Sequence, residues 1–177
     1  MRAVVQRVAE ADVVVFEPDL DLDVAIEEDR YNILDPDDDM AYPGHISGRI
    51  GGGLVVFLGV EVGDTVEDAA YMAEKICGLR IYEDQEGKMN LCIKDMYDES
   101  ILAVSQFTLL GDVRKGKRPS FTAAERPERA NELYRNFVEN VKALGVSVEE
   151  GEFQAQMLVR LQNYGPVTIL IDSRKTF

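Results

Sequence analysis

The chain has 177 residues, 46% of them hydrophobic and 29% charged, about the length of one domain and enough to bury roughly 70% of its unfolded surface. No apolar run approaches the roughly 20 residues of a membrane-spanning helix, and Met1 to Val8 lacks the apolar stretch and cleavage site of a secretory signal, so a cytoplasmic location is expected. One histidine, His45, and two cysteines, Cys77 and Cys92, leave no Cys/His zinc spacing and allow a Ser-His-Asp triad only around His45.

The net charge of −14 is unevenly spread, because Glu17 to Pro43 holds eleven acidic residues against the single cation Arg30. That stretch carries −10 and leaves −4 for the rest of the chain. The body of the protein is therefore nearly balanced.

In chain order, Ala3 to Val8 and Asp12 to Phe16 are rich in β-branched residues and predict two short strands. Glu17 to Pro43 reads as an acidic surface insertion punctuated by prolines. Asp19, Asp21 and Asp23 have the first ligand spacings of a calcium loop, but Val24 stands where the loop needs glycine and Arg30 where it needs the closing Glu, so a solvated loop is the reading. Leu54 to Val60, an apolar run bounded by glycines, predicts a central strand buried on both faces. Thr65 and Asp68 predict a capping pair for a helix from Val66 to Leu79, with Cys77 packed on its apolar face.

Leu79 to Tyr82 reads as a strand, Glu83 to Lys88 as a turn, and Met89 to Ile93 and Ile101 to Leu110 as further strands. Pro127 opens the clearest helix, which places Ala130, Leu133, Tyr134, Phe137, Val138, Val141 and Leu144 on one face and stops at Gly145. Val146 to Glu149, Ala155 to Gln162 and Val167 to Asp172 predict three closing strands. Strands outnumber helices, so the expected class is α+β with a largely antiparallel sheet and two main helices.

Three features are candidates for chemistry. Ser105, Gln106 and Thr108 interrupt an apolar strand, and each needs a partner, a water or a ligand, since burying it unpaired costs roughly 1–3 kcal/mol. For an arbitrary strand, a satisfied polar patch in a sheet is the first explanation. Strand alternation sets Ser105 and Phe107 on one face and Gln106 and Thr108 on the other.

Gly165-Pro166, within Asn163 to Thr168, can hold a carbonyl in an unusual direction or simply form a turn between two strands. Arg114, Lys115, Lys117 and Arg118 form a cationic loop beside Phe121. That loop suits phosphate and base contacts, or ion pairs with the protein's own acids.

Together, Ser105-Gln106-Phe107-Thr108-Leu109 and Asn163-Tyr164-Gly165-Pro166-Val167-Thr168 resemble the two signature motifs of the D-aminoacyl-tRNA deacylases. Met1 to Val8, Gly87-Lys88-Met89-Asn90 and Arg114 to Phe121 extend the resemblance over nearly the whole chain outside the acidic insertion. It implies one barrel-like domain over residues 1–177 and a homodimer in which Gly165-Pro166 of one subunit, with a cis peptide, enters the pocket around Ser105 to Thr108 of the other. Arg7 matches the residue that orients the Gly-Pro segment.

The implied substrate is the 3′ end of a tRNA carrying a D-amino acid or a misplaced glycine. Ser105, Gln106 and Thr108 are the implied catalytic set, and Phe107, Ala123, Met157, Asn163, Gly165 and Pro166 bind substrate. Arg114, Lys115, Lys117 and Arg118 contact tRNA, and neither metal nor cofactor is implied. In this chain Tyr164 replaces the more usual acidic residue, and Gln154 stands where glycine is common.

An activated ester needs positioning, a water and an oxyanion site more than a strong base. Thr108 lacks an evident base, so attack by water assisted by the substrate 2′-OH is preferred over a Thr108 nucleophile. Two alternatives stand beside this reading. One is a nucleic-acid-binding relative without hydrolysis, and the other an editing enzyme acting on an L-aminoacyl-tRNA. The absence of a Gly-x-Ser-x-Gly elbow argues against a small-molecule esterase.

Overall fold

The computed structural model describes residues 1–16 and 44–176. The acidic insertion, with its calcium-like spacing, lies outside the described residues. Among these the strands are β1 (Arg2–Phe16), β2 (Gly44–Ile50), β3 (Gly53–Gly59), β4 (Tyr82–Glu83), β5 (Met89–Leu91), β6 (Ser100–Ser105), β7 (Ser147–Glu150) and β8 (Met157–Asp172). The α-helices are α1 (Val66–Cys77) and α2 (Pro127–Ala143), neither of them long and apolar enough to cross a membrane.

The two N-terminal strands expected from sequence are one, β1, which changes partner along its length. Its first half pairs antiparallel with β3, from Arg2 opposite Gly59 to Val8 opposite Gly53. Its second half pairs with β2, and its other edge runs along β8 from Arg2 to Val15. The main sheet has the order β2-β1-β3-β6-β7 with β8 joined to β1, while β4 and β5 form a separate ribbon.

The sheet is antiparallel around β1, but β3–β6 and β6–β7 are parallel. This narrows the expectation of a largely antiparallel sheet. The sheet curls into a nearly closed barrel as β2 approaches β7. At Gly48 a Cβ atom would lie 2.7 Å from the Glu150 carbonyl oxygen, so the approach requires glycine.

β3 is buried on both faces, as the apolar run predicts. Leu54, Val56 and Leu58 face the helices, and Val55 faces the second core with Val8, Val13, Ile50, Leu102 and Val104. The helices cover the first core with the expected stripes: Ala69, Met72, Ala73, Ile76 and Cys77 from α1, and Leu133, Tyr134, Phe137, Val138 and Val141 from α2. The Thr65 N–H donates to the Asp68 carboxylate at 2.9 Å, the capping contact read from sequence. Burial pushes the Cys77 thiol up to about 11, which keeps it a packed, protonated group.

Candidate active site

The site begins where β6 stops. Sequence extends this strand to Leu110, but the ladder ends at Ser105, and Phe107–Leu110 form a single 3-10 turn. The Gln106 N–H still donates to the Leu58 carbonyl at 2.8 Å, after which the chain turns.

Leu110, almost fully buried, anchors the turn against β3. At Gly59 a Cβ atom would come within 2.5 Å of the Leu110 side chain and 2.8 Å of the Gln106 carbonyl. Glycine at 59 therefore lets the turn seat on β3. The expected two-face alternation of Ser105 to Thr108 does not occur, because a 3-10 turn does not alternate.

Within the turn the Gln106 Nε2 donates to Thr108 Oγ1 at 2.5 Å. The Leu109 and Gly111 N–H groups bond back to Gln106 and Thr108 carbonyls. The Phe107 and Thr108 N–H groups stand at the open start of the turn, where a helical turn leaves its first donors unused. The exposed Phe107 ring packs edge-on against Phe121, with centroids 5.1 Å apart.

A cavity of about 540 Å³ opens beside this turn, within the range of small-molecule sites. Of the candidate residues, Ser105, Gln106, Phe107 and Met157 line it, together with Leu58, Val60, Val104, Ala130, Phe153 and Ala155. Thr108 does not line it. Nor does Ala123, whose carbonyl accepts the Val62 N–H at 2.9 Å, so that the next residue, Ala124, forms the wall instead.

Residues that motif reading missed include Glu125 and Tyr134. Tyr134 lies on the predicted apolar face of α2 and was legible there as core. Its hydroxyl donates to the Ala103 carbonyl at 3.0 Å, and burial pushes its pKa far above the ordinary phenol. Gln154 also lines the cavity and holds a φ of +66°, a backbone region that favours the glycine for which it substitutes.

Asn163, Gly165 and Pro166 do not line this chain's cavity; they are exposed on β8. The expected turn between two strands is a bulge inside one. Gln6 pairs with Thr168 and Val8 with Asn163, so Tyr164 to Val167 stand opposite Arg7 alone, with Tyr164, Gly165 and Pro166 exposed and Val167 turned into the core. The Gly165-Pro166 peptide is cis.

Arg7, only 5% exposed, fills the gap. Its Nε donates to the Tyr164 carbonyl at 3.0 Å and its Nη1 to the Ile81 carbonyl at 2.5 Å.

The cationic segment is a hairpin clipped by mutual Asp112–Ser120 backbone bonds of 2.8 and 3.0 Å. Arg114 is bound to its own acid, through Nε–Oδ1 at 2.9 Å and Nη2–Oδ2 at 2.7 Å of Asp112. Those hydrogen bonds hold the Asp112 carboxyl far below the usual carboxylate range. Lys115, Lys117 and Arg118 are exposed, and among the described residues they form no ion pair. The ion-pair reading of the loop thus holds for Arg114.

His45 sits exposed at the start of β2, 3.6 Å from Glu152, and no hydrogen bond joins it to Ser105 or Thr108. It builds no triad. Among the described residues no group of three or more His, Cys, Asp or Glu gathers as a metal site.

The sequence profile of the family described as D-Tyr-tRNA(Tyr) deacylase matches residues 4–172. The D-aminoacyl-tRNA deacylase of Thermotoga petrophila is 48% identical over 177 residues, all of both chains. That of Koribacter versatilis is 60% identical over 134 residues, 76% of this chain and 89% of its own.

Among solved structures, the c-Myc DNA Unwinding Element Binding Protein is 34% identical with a TM-score of 0.75, covering 97% of this chain and 98% of its own. A probable eukaryotic D-amino acid tRNA deacylase, 18% identical over 96% of this chain and 97% of its own, shares the fold with a TM-score of 0.68. With a profile match over almost the whole sequence and full-length relatives near half identity, the chain belongs to the D-Tyr-tRNA(Tyr) deacylase family.

Proposed function

We propose that this chain hydrolyses the ester bond of D-aminoacyl-tRNA, releasing the D-amino acid and free tRNA, and so proofreads chirality in translation. One observation carries the chemistry: an apolar cavity whose rim offers Ser105, Gln106 and the open start of a 3-10 turn, with no histidine in its lining. Such a site positions an already activated ester and supports a developing oxyanion through the Phe107 N–H at the start of the turn. Its one carboxylate, Glu125, already accepts hydrogen bonds from the Arg126 and Gly63 N–H groups.

Thr108 Oγ1 is bonded to an amide, which cannot accept a proton at neutral pH. The base is therefore sought in the substrate, where the ribose 2′-OH beside the ester assists an attacking water. Ser105 and Gln106 bind the reacting end.

The pocket is completed by a second copy of the chain. Gly165 and Pro166 project from β8 rather than lining their own cavity, and Arg7 fixes the bulge that presents them. In the homodimer this rigid segment, with Asn163 beside it, enters the partner's cavity and leaves no room for the side chain of an L-amino acid, while D-amino acids and glycine fit. Selection by excluded volume depends on backbone more than on side-chain chemistry. Lys115, Lys117 and Arg118 hold the tRNA acceptor end in the cytoplasm, with Arg114 shaping the loop.

The basic hairpin and the 34%-identical DNA-unwinding-element binding protein favour one second reading, nucleic-acid binding without hydrolysis. Co-expression of a chain changed at Gln106 with one changed at Gly165 separates the readings. Mixed dimers regain turnover on D-tyrosyl-tRNA if each site draws on both subunits. Binding of the tRNA with no turnover by the native protein supports the second reading.

A further inference from the structure

Arg7 carries a full charge at 5% exposure, yet among the described residues it forms no ion pair with any carboxylate. A buried cation without a counter-charge is costly, so other groups must compensate it. Two carbonyls do part of this, those of Tyr164 and Ile81. Glu99, whose ionised form the charge of Arg7 favours without a direct ion pair, supplies a further part, and ring faces complete it. The Arg7 Cζ lies 4.6 Å from the Tyr164 ring centroid and 5.9 Å from that of Tyr82, both within cation–π range.

The Tyr82 ring is itself fixed, being buried and donating its hydroxyl to Glu99 at 3.4 Å. Tyr164 differs, because its side chain is 61% exposed while its carbonyl is the acceptor of the Arg7 Nε. One residue thus touches the guanidinium twice, through its ring and through the peptide that leads into Gly165.

We propose that Tyr164 is a positioning residue: its ring seats on Arg7, and this contact sets the plane of the peptide that carries Gly165-Pro166. The proposal deepens the reading of Arg7 and Gly165-Pro166 given above and rests on it. A carboxylate at 164 would hold Arg7 by charge, through a flexible side chain. The aromatic ring instead covers the guanidinium face and leaves its edge N–H groups for the two carbonyls. Arg7 is thereby fixed in plane as well as in place.

The test compares Tyr164→Ala and Tyr164→Phe in the full chain. Three quantities are read: kcat and KM on D- and L-tyrosyl-tRNA, the melting temperature, and the 15N-resolved Arg7 Nε–H resonance, which a ring at 4.6 Å shifts by its ring current. Tyr164→Phe keeps the face and should match the native protein in all three.

Tyr164→Ala should lose the ring-current shift, lower kcat on the D-ester by roughly tenfold with little change in KM, and raise the share of L-ester cleaved. Its melting temperature should stay near native, since within its own chain the ring packs on Arg7 at the surface and belongs to neither hydrophobic core. Unchanged kinetics and selectivity in Tyr164→Ala overturn the proposal, as does a loss of activity that merely parallels a loss of thermal stability. If the native protein cleaves neither ester, the functional reading fails. The resonance then decides the contact alone, its persistence in Tyr164→Ala overturning the clamp and its loss supporting it.

Discussion

Thr108→Val removes one hydroxyl and leaves shape nearly intact, so the two possible roles of this residue give very different rates. In the structure Thr108 lies outside the cavity lining, is exposed, and accepts a 2.5 Å hydrogen bond from the Gln106 amide. Losing that bond frees Gln106 Nε2 to water rather than stranding it, so the cost is that of one ordinary hydrogen bond, about 0.5–1.5 kcal/mol. If all of it is felt in the transition state, turnover falls by roughly two- to thirteen-fold. Removal of a true covalent nucleophile costs on the order of 10⁴- to 10⁶-fold.

Single-turnover loss of ester from D-tyrosyl-tRNA with enzyme in excess separates these ranges without interference from product release. A tRNA ending in 2′-deoxyadenosine, acylated on the 3′ oxygen, probes the same choice from the substrate side. It should bind normally and react poorly. A dead Thr108→Val enzyme together with full activity on the deoxy substrate would refute the reasoning and make Thr108 the nucleophile.

Replacing Lys115, Lys117 and Arg118 with Ala should flatten the logarithmic salt dependence of tRNA binding by roughly 2 to 3, whereas Arg114→Ala changes it less, because Asp112 already neutralises that cation; filter binding across a salt series checks both. Gly165→Ala places a Cβ 3.0 Å from Asn163 Nδ2, the end of a side chain that can move aside, so each chain should still fold while turnover falls on the order of 10²-fold through misplacement. Phe137→Ala, at a fully buried position, should cost about 3–5 kcal/mol in denaturant unfolding.

The hydrogen bonds from Arg114 lower the folded Asp112 pKa below its unfolded value, so their contribution is present above about pH 4 and lost as pH falls through the depressed folded value. NMR of the hairpin should find it ordered at about pH 5 and losing that order only below the ordinary carboxylate range.

The parts of the fold that sequence conveyed were those set by local pattern. The glycine-bounded run of β3 announced burial on both faces, and Pro127, the apolar stripe and Gly145 marked α2 nearly to the residue. What sequence misplaced was decided by contacts far along the chain.

The run from Ile101 to Leu110 looks like one strand, but Leu110 is drawn under β3 at Gly59, and that packing bends Phe107–Leu110 into a turn. Gly-Pro carries a strong turn signal, yet β8 continues past it because β1 pairs on both sides and Arg7 fills the gap. Ala123 and Ala124 exchange roles for a similar reason, since a single bridge to Glu61 decides which of them faces the cavity. The ion pairing expected of the basic loop fell on Asp112, two residues from Arg114.

The most direct measurement follows ester loss from matched D-tyrosyl-, L-tyrosyl- and glycyl-tRNA in the presence of the purified chain. A rigid Gly165-Pro166 segment held by Arg7 predicts rapid loss of the D and glycyl esters with the L ester spared. Equal rates on the D and L esters would contradict it.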